Sequence, residues 1–158
     1  MRMQGLTDGL FYSCGDRLFA NEVFNRSRRR NALVRPNILI VDDEEQYCTV
    51  ISDLLKSYGC DVHVANDAGD ALFRLKNSIP DLILMDIMMP EIDGLTLIGR
   101  LRLMDEWSKI PIIAISAKTQ PADRMAAIGA GANSFLPKPF TTDMLKGALR
   151  EYVPVPVC

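Results

Sequence analysis

The sequence predicts an α/β domain built on a doubly wound, five-stranded parallel sheet, and three observations carry that expectation. From Asn37 onward, short apolar runs alternate with stretches of helical periodicity, the pattern of strands joined by crossover helices. The run Leu82-Ile83-Leu84-Met85 is apolar throughout and bounded by Pro80-Asp81 and Pro90, as a strand buried on both faces would be. The apolar runs end in Asp42-Asp43, Asp86 and Ser116, and a last short one leads to Lys138. Right-handed crossovers would gather all of these at one edge of the sheet.

Ile38-Leu39-Ile40-Val41 forms the first predicted strand. A helix follows, with Tyr47, Val50, Ile51, Leu54, Leu55 and Tyr58 expected on its inner face and Gly59 as its stop. Asp61-Val62-His63-Val64-Ala65 alternates like a half-exposed edge strand. Asn66 or Asp67 is expected to cap a helix whose inner face is Ala68, Ala71, Leu72 and Leu75. After the Leu82–Asp86 strand comes a helix near 92–104 carrying Leu95, Ile98 and Leu101. Ile110–Ile115 is the fourth strand, ending in Ser116, and Pro121 opens a fourth helix that stops at Gly129-Ala130-Gly131. Ser134-Phe135-Leu136 is a short fifth strand. Thr141 or Thr142 caps the last helix, with Met144, Leu145, Ala148 and Leu149 inward, and Val153-Pro154-Val155-Pro156 cannot continue it.

The 158 residues are 48% hydrophobic and 24% charged, the make-up of one globular domain plus a tail. Residues 1–36 carry seven arginines against three acids, net +4, whereas 37–158 carry 11 basic and 17 acidic residues, net −6. The first segment has little periodicity and reads as a mobile N-terminal extension, with room for a turn or two of helix near 17–25. Its cluster Arg26-Ser27-Arg28-Arg29-Arg30 reads as a solvated tail in preference to a nucleic-acid contact. The expected domain is 37–152, with 153–158 a short tail. No run reaches the roughly 18 to 20 apolar residues of a membrane span, and no secretion signal is evident, so a cytoplasmic protein is expected. Cys14, Cys48, Cys60 and Cys158 lack metal-finger spacing and read as reduced thiols.

Asp42, Asp43 and Asp86 in one cleft would repel one another unless a hard cation neutralised them. Mg²⁺, which takes carboxylates, carbonyls and phosphoryl oxygens, suits such a cluster. An aspartate there can act as a nucleophile forming an acyl phosphate, while a lysine ammonium balances charge on the transferred group. Taken singly, Ser116 reads as a turn hydroxyl, Lys138 as a solvated charge and His63 as an exposed strand residue. Met85, Met88 and Met89 read most simply as packing.

Residues 37–152 resemble the receiver domain of bacterial-type two-component response regulators. The motifs that carry the resemblance are Asp42-Asp43 after an apolar strand, Asp86 in MDIMMPEIDG, Ser116 in Ile113-Ala114-Ile115-Ser116-Ala117, and Lys138-Pro139 in LPKPF. The resemblance implies the flavodoxin-like receiver fold, strand order 2-1-3-4-5, with the site between strands 1 and 3. It implies Asp86 as phosphoacceptor, Asp43 as a direct ligand of Mg²⁺ or Mn²⁺, and Asp42 as a ligand directly or through water. Met88 would lend its backbone carbonyl, Lys138 would contact the phosphoryl group, and the Lys138–Pro139 bond would be cis. Ser116 and Phe135 would form the switch, and Met88 and Lys118 would tune the lifetime of the phosphorylated state. The family often has Thr and Tyr at the switch positions, so Phe135 would signal by packing alone.

The partners implied are a histidine kinase or phosphotransfer protein, an output protein that the sequence does not identify, and a possible second copy of the chain. Neither a membrane nor nucleic acid is expected. Only six residues follow 152, so the expectation is a stand-alone receiver, or a piece of a longer chain, whose output needs a partner. It would act on no substrate but its own aspartate. A haloacid-dehalogenase-type phosphatase also uses a strand-end aspartate and Mg²⁺, but wants a second aspartate two residues on, where this chain has Met88. A module that has lost phosphorylation is the third reading, and the presence of every expected site residue weighs against it.

Overall fold

A computed structural model describes residues 35–155 of the chain. The expectations for residues 1–34, with the helical turns near 17–25 and the arginine cluster, lie outside the described residues, as do Cys14 and Cys158. The elements are β1 (Asn37–Val41), α1 (Glu45–Ser57), β2 (Asp61–Ala65), α2 (Ala68–Asn77), β3 (Leu82–Asp86), α3 (Gly94–Arg102), β4 (Ile112–Ser116), α4 (Pro121–Ala130), β5 (Ser134–Pro137) and α5 (Thr142–Arg150). The five strands pair in parallel in the order β2-β1-β3-β4-β5.

Successive side chains of a strand point to opposite faces, and the two cores follow that alternation. Leu39, Val41, Ile83, Met85, Ile112 and Ala114 pack with α2, α3 and α4. Ile38, Ile40, Leu82, Leu84, Ile113 and Ile115 pack with α1 and α5. β3 and β4 are buried at every position, whereas β2 alternates as an edge strand does, with His63 exposed.

Three of the helices begin at a side-chain cap. Asp67 accepts from the Asp70 N–H at 2.7 Å, Asp93 from the Thr96 N–H at 2.7 Å, and Thr141 from the Met144 N–H at 3.2 Å, so Asp67 and Thr141 are the caps, and α3 starts later than the periodicity suggests. β4 starts at Ile112 because Pro111 has no N–H to give the ladder; the Pro111 carbonyl still accepts from Ile83.

Two inward assignments fail. Val50 is 67% exposed, because α1 turns Cys48, Ile51, Ser52 and Leu55 inward instead. Met144 is likewise exposed, leaving Leu145 and Leu149 to bury the apolar side of α5. Beyond α5 the chain stays on the core, with Val153 and Val155 both buried in the α1/α5 cluster. Cys48 and Cys60 are free, buried thiols. No helix among the described residues is long and apolar enough to cross a membrane.

Candidate functional site

The pleat decides which strand-end side chains meet. Asp42 follows Ile38 and Ile40, Asp86 follows Leu82 and Leu84, and Lys138 follows Leu136, so all three continue the α1/α5 face. Ser116 and Phe135 continue the opposite face, and Phe135 packs against the α2/α3/α4 core. The aspartates and lysine therefore share one side of the sheet edge, and the hydroxyl–aromatic pair takes the other.

On the first side, carboxylate oxygens of Asp42, Asp43 and Asp86 lie within 4.8 Å of one another. Asp42 and Asp86 are each only 2% exposed, whereas Asp43 is exposed. The Lys138 ammonium donates to Asp42 Oδ2 at 2.9 Å, lies 3.2 Å from Asp86 Oδ1, and lies 3.6 Å from the exposed Glu44 Oε1. Asp42 is held from its other side too, since its Oδ1 accepts from the Glu44 N–H at 2.9 Å. The Lys138–Pro139 bond is cis.

Sequence reasoning placed Tyr47 only in the core. The structure also puts its ring beneath Lys138, with Nζ 4.1 Å from the ring centroid, and Phe140 meets the ring edge-on at 5.9 Å. No periodicity could have shown this, because the three residues come from α1 and from the loop after β5.

Burial and the neighbouring Asp42 charge push the Asp86 carboxyl up from 3.8 to about 6, against the opposing pull of Lys138. Burial alone would discharge Lys138, but its hydrogen bond to Asp42 and the Asp86 and Asp42 charges outweigh that and keep it protonated well above the usual lysine range. Burial and then Asp42 push the Cys48 thiol up to about 11, which keeps this cysteine a neutral thiol donating to the Asp42 carbonyl at 3.4 Å. Burial raises the Tyr47 phenol to about 12.

Ser116 is buried, and its Oγ accepts from the Lys118 N–H at 3.0 Å. Its carbonyl accepts from the Lys138 N–H at 2.8 Å, which ties the ends of β4 and β5. Met88 and Lys118 are both exposed; for Met88 this departs from a packing role, which Met85 and Met89 do fill. The loop after β3 turns on Gly94, where a Cβ would overlap the Asp86 carbonyl oxygen and stand 2.8 Å from Ile87 Cα. Glu91 in the same loop has φ +64°. His63 lies apart, lining a cavity of about 370 Å³ with Leu39, Phe73 and Pro80 that shares no residue with the acidic cluster.

Three hard oxygen donors converging beside a single ammonium fit a small divalent cation with oxygen preference, Mg²⁺ or Mn²⁺, in which two or three carboxylates and water complete the shell. They do not fit a thiolate- or imidazole-seeking metal, since among the described residues no imidazole joins the cluster and the neighbouring Cys48 is held as a neutral thiol.

Comparison with known proteins gives a consistent result. The family model described as the response regulator receiver domain matches residues 38–150. An uncharacterised 14.6 kDa protein of Leptolyngbya boryana is 38% identical over 120 residues, covering 76% of this chain and 92% of that protein. The chemotaxis protein CheY4 of Vibrio cholerae superposes with TM-score 0.72 at 26% identity, over 76% of this chain and 100% of that one. The receiver domain of the Pseudomonas aeruginosa sensor histidine kinase PA1611, solved with a magnesium ion coordinated in its active-site cleft, superposes with TM-score 0.69 at 32% identity, over 75% and 98%.

Proposed function

Since this chain belongs to the response regulator receiver domain family, whose members serve phosphorylation-dependent two-component signalling, we propose that it accepts a phosphoryl group on Asp86 from a histidine kinase or phosphotransfer protein. The observation that carries this reading is the convergence of Asp42, Asp43, Asp86 and Lys138 at the C-terminal ends of β1, β3 and β5.

An Asp86 carboxylate oxygen attacks phosphorus. The bond from phosphorus to the donor nitrogen breaks, and its electron pair leaves with the donor imidazole, which takes up a proton from water. Lys138 is already beside Asp86 and offers its positive charge to the added phosphoryl oxygens. Asp42, Asp43 and Asp86, with the Met88 carbonyl, would hold Mg²⁺ or Mn²⁺. When bound, the ion supplies the positive charge that lets the carboxylates and the incoming anion share the cleft. The reaction is confined to the protein's own aspartate, which makes it a signalling module and not an enzyme acting on other substrates.

Ser116 and Phe135 form the switch. Ser116 turns its hydroxyl to the phosphoryl oxygen, and Phe135, already packed against the α2/α3/α4 core, settles deeper. The surface from α4 through β5 to α5 changes with them and presents the output to a partner or a second copy. Residues 37–152 are the working unit, with Val153 and Val155 of the short tail 153–158 packed on its α1/α5 core, and 1–36 are an extension, in a cytoplasmic protein.

The test is incubation with a small phosphodonor, with and without Mg²⁺, read by intact mass. One phosphoryl group should add only when the ion is present. Asp43→Ala should abolish the addition by weakening the cation site, while Lys138→Ala should still be modified but show a blunted spectral response. Modification that proceeds equally well without a divalent ion, or in Asp43→Ala, would contradict the proposal.

A further inference from the structure

We infer that Tyr47 is a positioning residue for Lys138, whose ring face confines the ammonium over the Asp42–Asp86 pair while its hydroxyl takes no part. The consequence for phosphorylation rests on the receiver reading; the contact itself does not.

Among the described residues, the Lys138 ammonium meets Asp42 at 2.9 Å, Asp86 at 3.2 Å, Glu44 at 3.6 Å and the Tyr47 ring centroid at 4.1 Å. Three of these are carboxylates, and their pull changes whenever a cation or a phosphoryl group enters the cleft. Glu44 is exposed and draws the flexible side chain toward solvent. The ring is the neighbour whose attraction is indifferent to that change, since it comes from the fixed negative face of the π system. It is also firmly placed. Tyr47 sits in the first turns of α1, and Phe140, two residues beyond Lys138, braces its ring edge-on at 75°. Lysine has a long stem with several rotors, so a wall on one side matters more here than it would for a rigid guanidinium.

The hydroxyl can be separated from the ring. Tyr47 Oη is buried and has no hydrogen-bond partner among the described residues, so its removal should leave Lys138 where it is. Phenylalanine keeps the π face. Leucine keeps apolar bulk and loses the face.

The test uses the full chain labelled on lysine with ¹³C, the Lys138 ε-methylene being assigned by its loss in Lys138→Arg. Ring current should displace that resonance upfield in the wild type and in Tyr47→Phe, and return it to the ordinary lysine position in Tyr47→Leu. With acetyl phosphate and fixed Mg²⁺, Tyr47→Leu should be phosphorylated about fivefold more slowly, the scale of one cation–π contact, and Tyr47→Phe at the wild-type rate. If Tyr47→Leu does not fold by its amide spectrum, Tyr47→Met takes its place. An upfield shift that survives in the aliphatic variant, one that is lost in Tyr47→Phe, or an aliphatic variant phosphorylated at the wild-type rate would overturn the inference. Wild type that takes no phosphoryl group counts against the receiver reading instead, and the lysine shifts still decide the role of Tyr47.

Discussion

Asp86 is costly to ionise where it stands, and that cost can be measured. Its folded-state value of about 6 lies above the ordinary 3.8 because of burial and the adjacent Asp42. Between about pH 4 and 6 the folded protein holds a proton that the unfolded chain has released. Linkage then makes metal-free stability fall as pH rises through that window, by on the order of 3 kcal/mol, and remain lower above it. Asp86→Asn keeps the shape without the charge, so at pH 7 it should be more stable than the wild type by about 1–3 kcal/mol, and the gap should close toward pH 4. Urea unfolding followed by the fluorescence of buried Trp107 reads both, and excess Mg²⁺ should narrow the gap at pH 7. Met88 and Lys118, both exposed, would flank the mouth of the site with a thioether and an ammonium, neither of which accepts a proton from an attacking water. The aspartyl phosphate should therefore persist, and Met88→Asn with Lys118→Glu should shorten its lifetime. Equal or slower decay in the variants would place the control elsewhere.

The loop joining β3 to α3 is held at two points, by the close approach at Gly94 and the positive φ of Glu91. Gly94 lets the start of α3 press against the Asp86 carbonyl, where a methyl group would have to displace backbone. Gly94→Ala should cost about 3 kcal/mol and slow phosphorylation, because relief of the overlap moves Asp86 itself. Denaturation midpoints and labelling rates check this together. The elements were largely legible in the sequence, because buried parallel strands leave unbroken apolar runs such as Leu82–Met85 and because Asp67 and Thr141 have capping chemistry, whereas the cap at Asp93 was missed. One edge of the α1 stripe was not, since Cys48 and Ser52 carry too little hydrophobicity to reveal that they join Ile51 and Leu55 in the core while Val50 does not. The surface of α4, β5 and α5 should carry the output, because Phe135 packs into the same core as Ala127 and Ala130 of α4. Phosphorylation should shift the amide resonances of residues 121–150, and unchanged resonances there would remove this surface from the account.

For the molecule as a whole, both cores, among the described residues, are built from positions after Pro36. Truncation to 37–158 should leave the melting temperature within a few degrees, and a large drop would show that the first segment contributes to the fold. The candidate site was legible for a topological reason: in a parallel sheet the strand ends share an edge, so Asp42, Asp86, Ser116 and Lys138 could be brought together before any coordinates. What the sequence could not carry was the partition of that edge into two sides, or the seating of Lys138 on Tyr47, since both depend on register and side-chain direction across elements distant in the chain. The most direct measurement is to phosphorylate the full chain with a small donor and Mg²⁺ and map the modified residue by peptide mass spectrometry beside Asp86→Asn. One acid-stable, base-labile phosphoryl group is expected on the peptide containing Asp86 and none on the variant; a phosphoryl group on another residue, or equal labelling of Asp86→Asn, would rule out Asp86 as the phosphoacceptor.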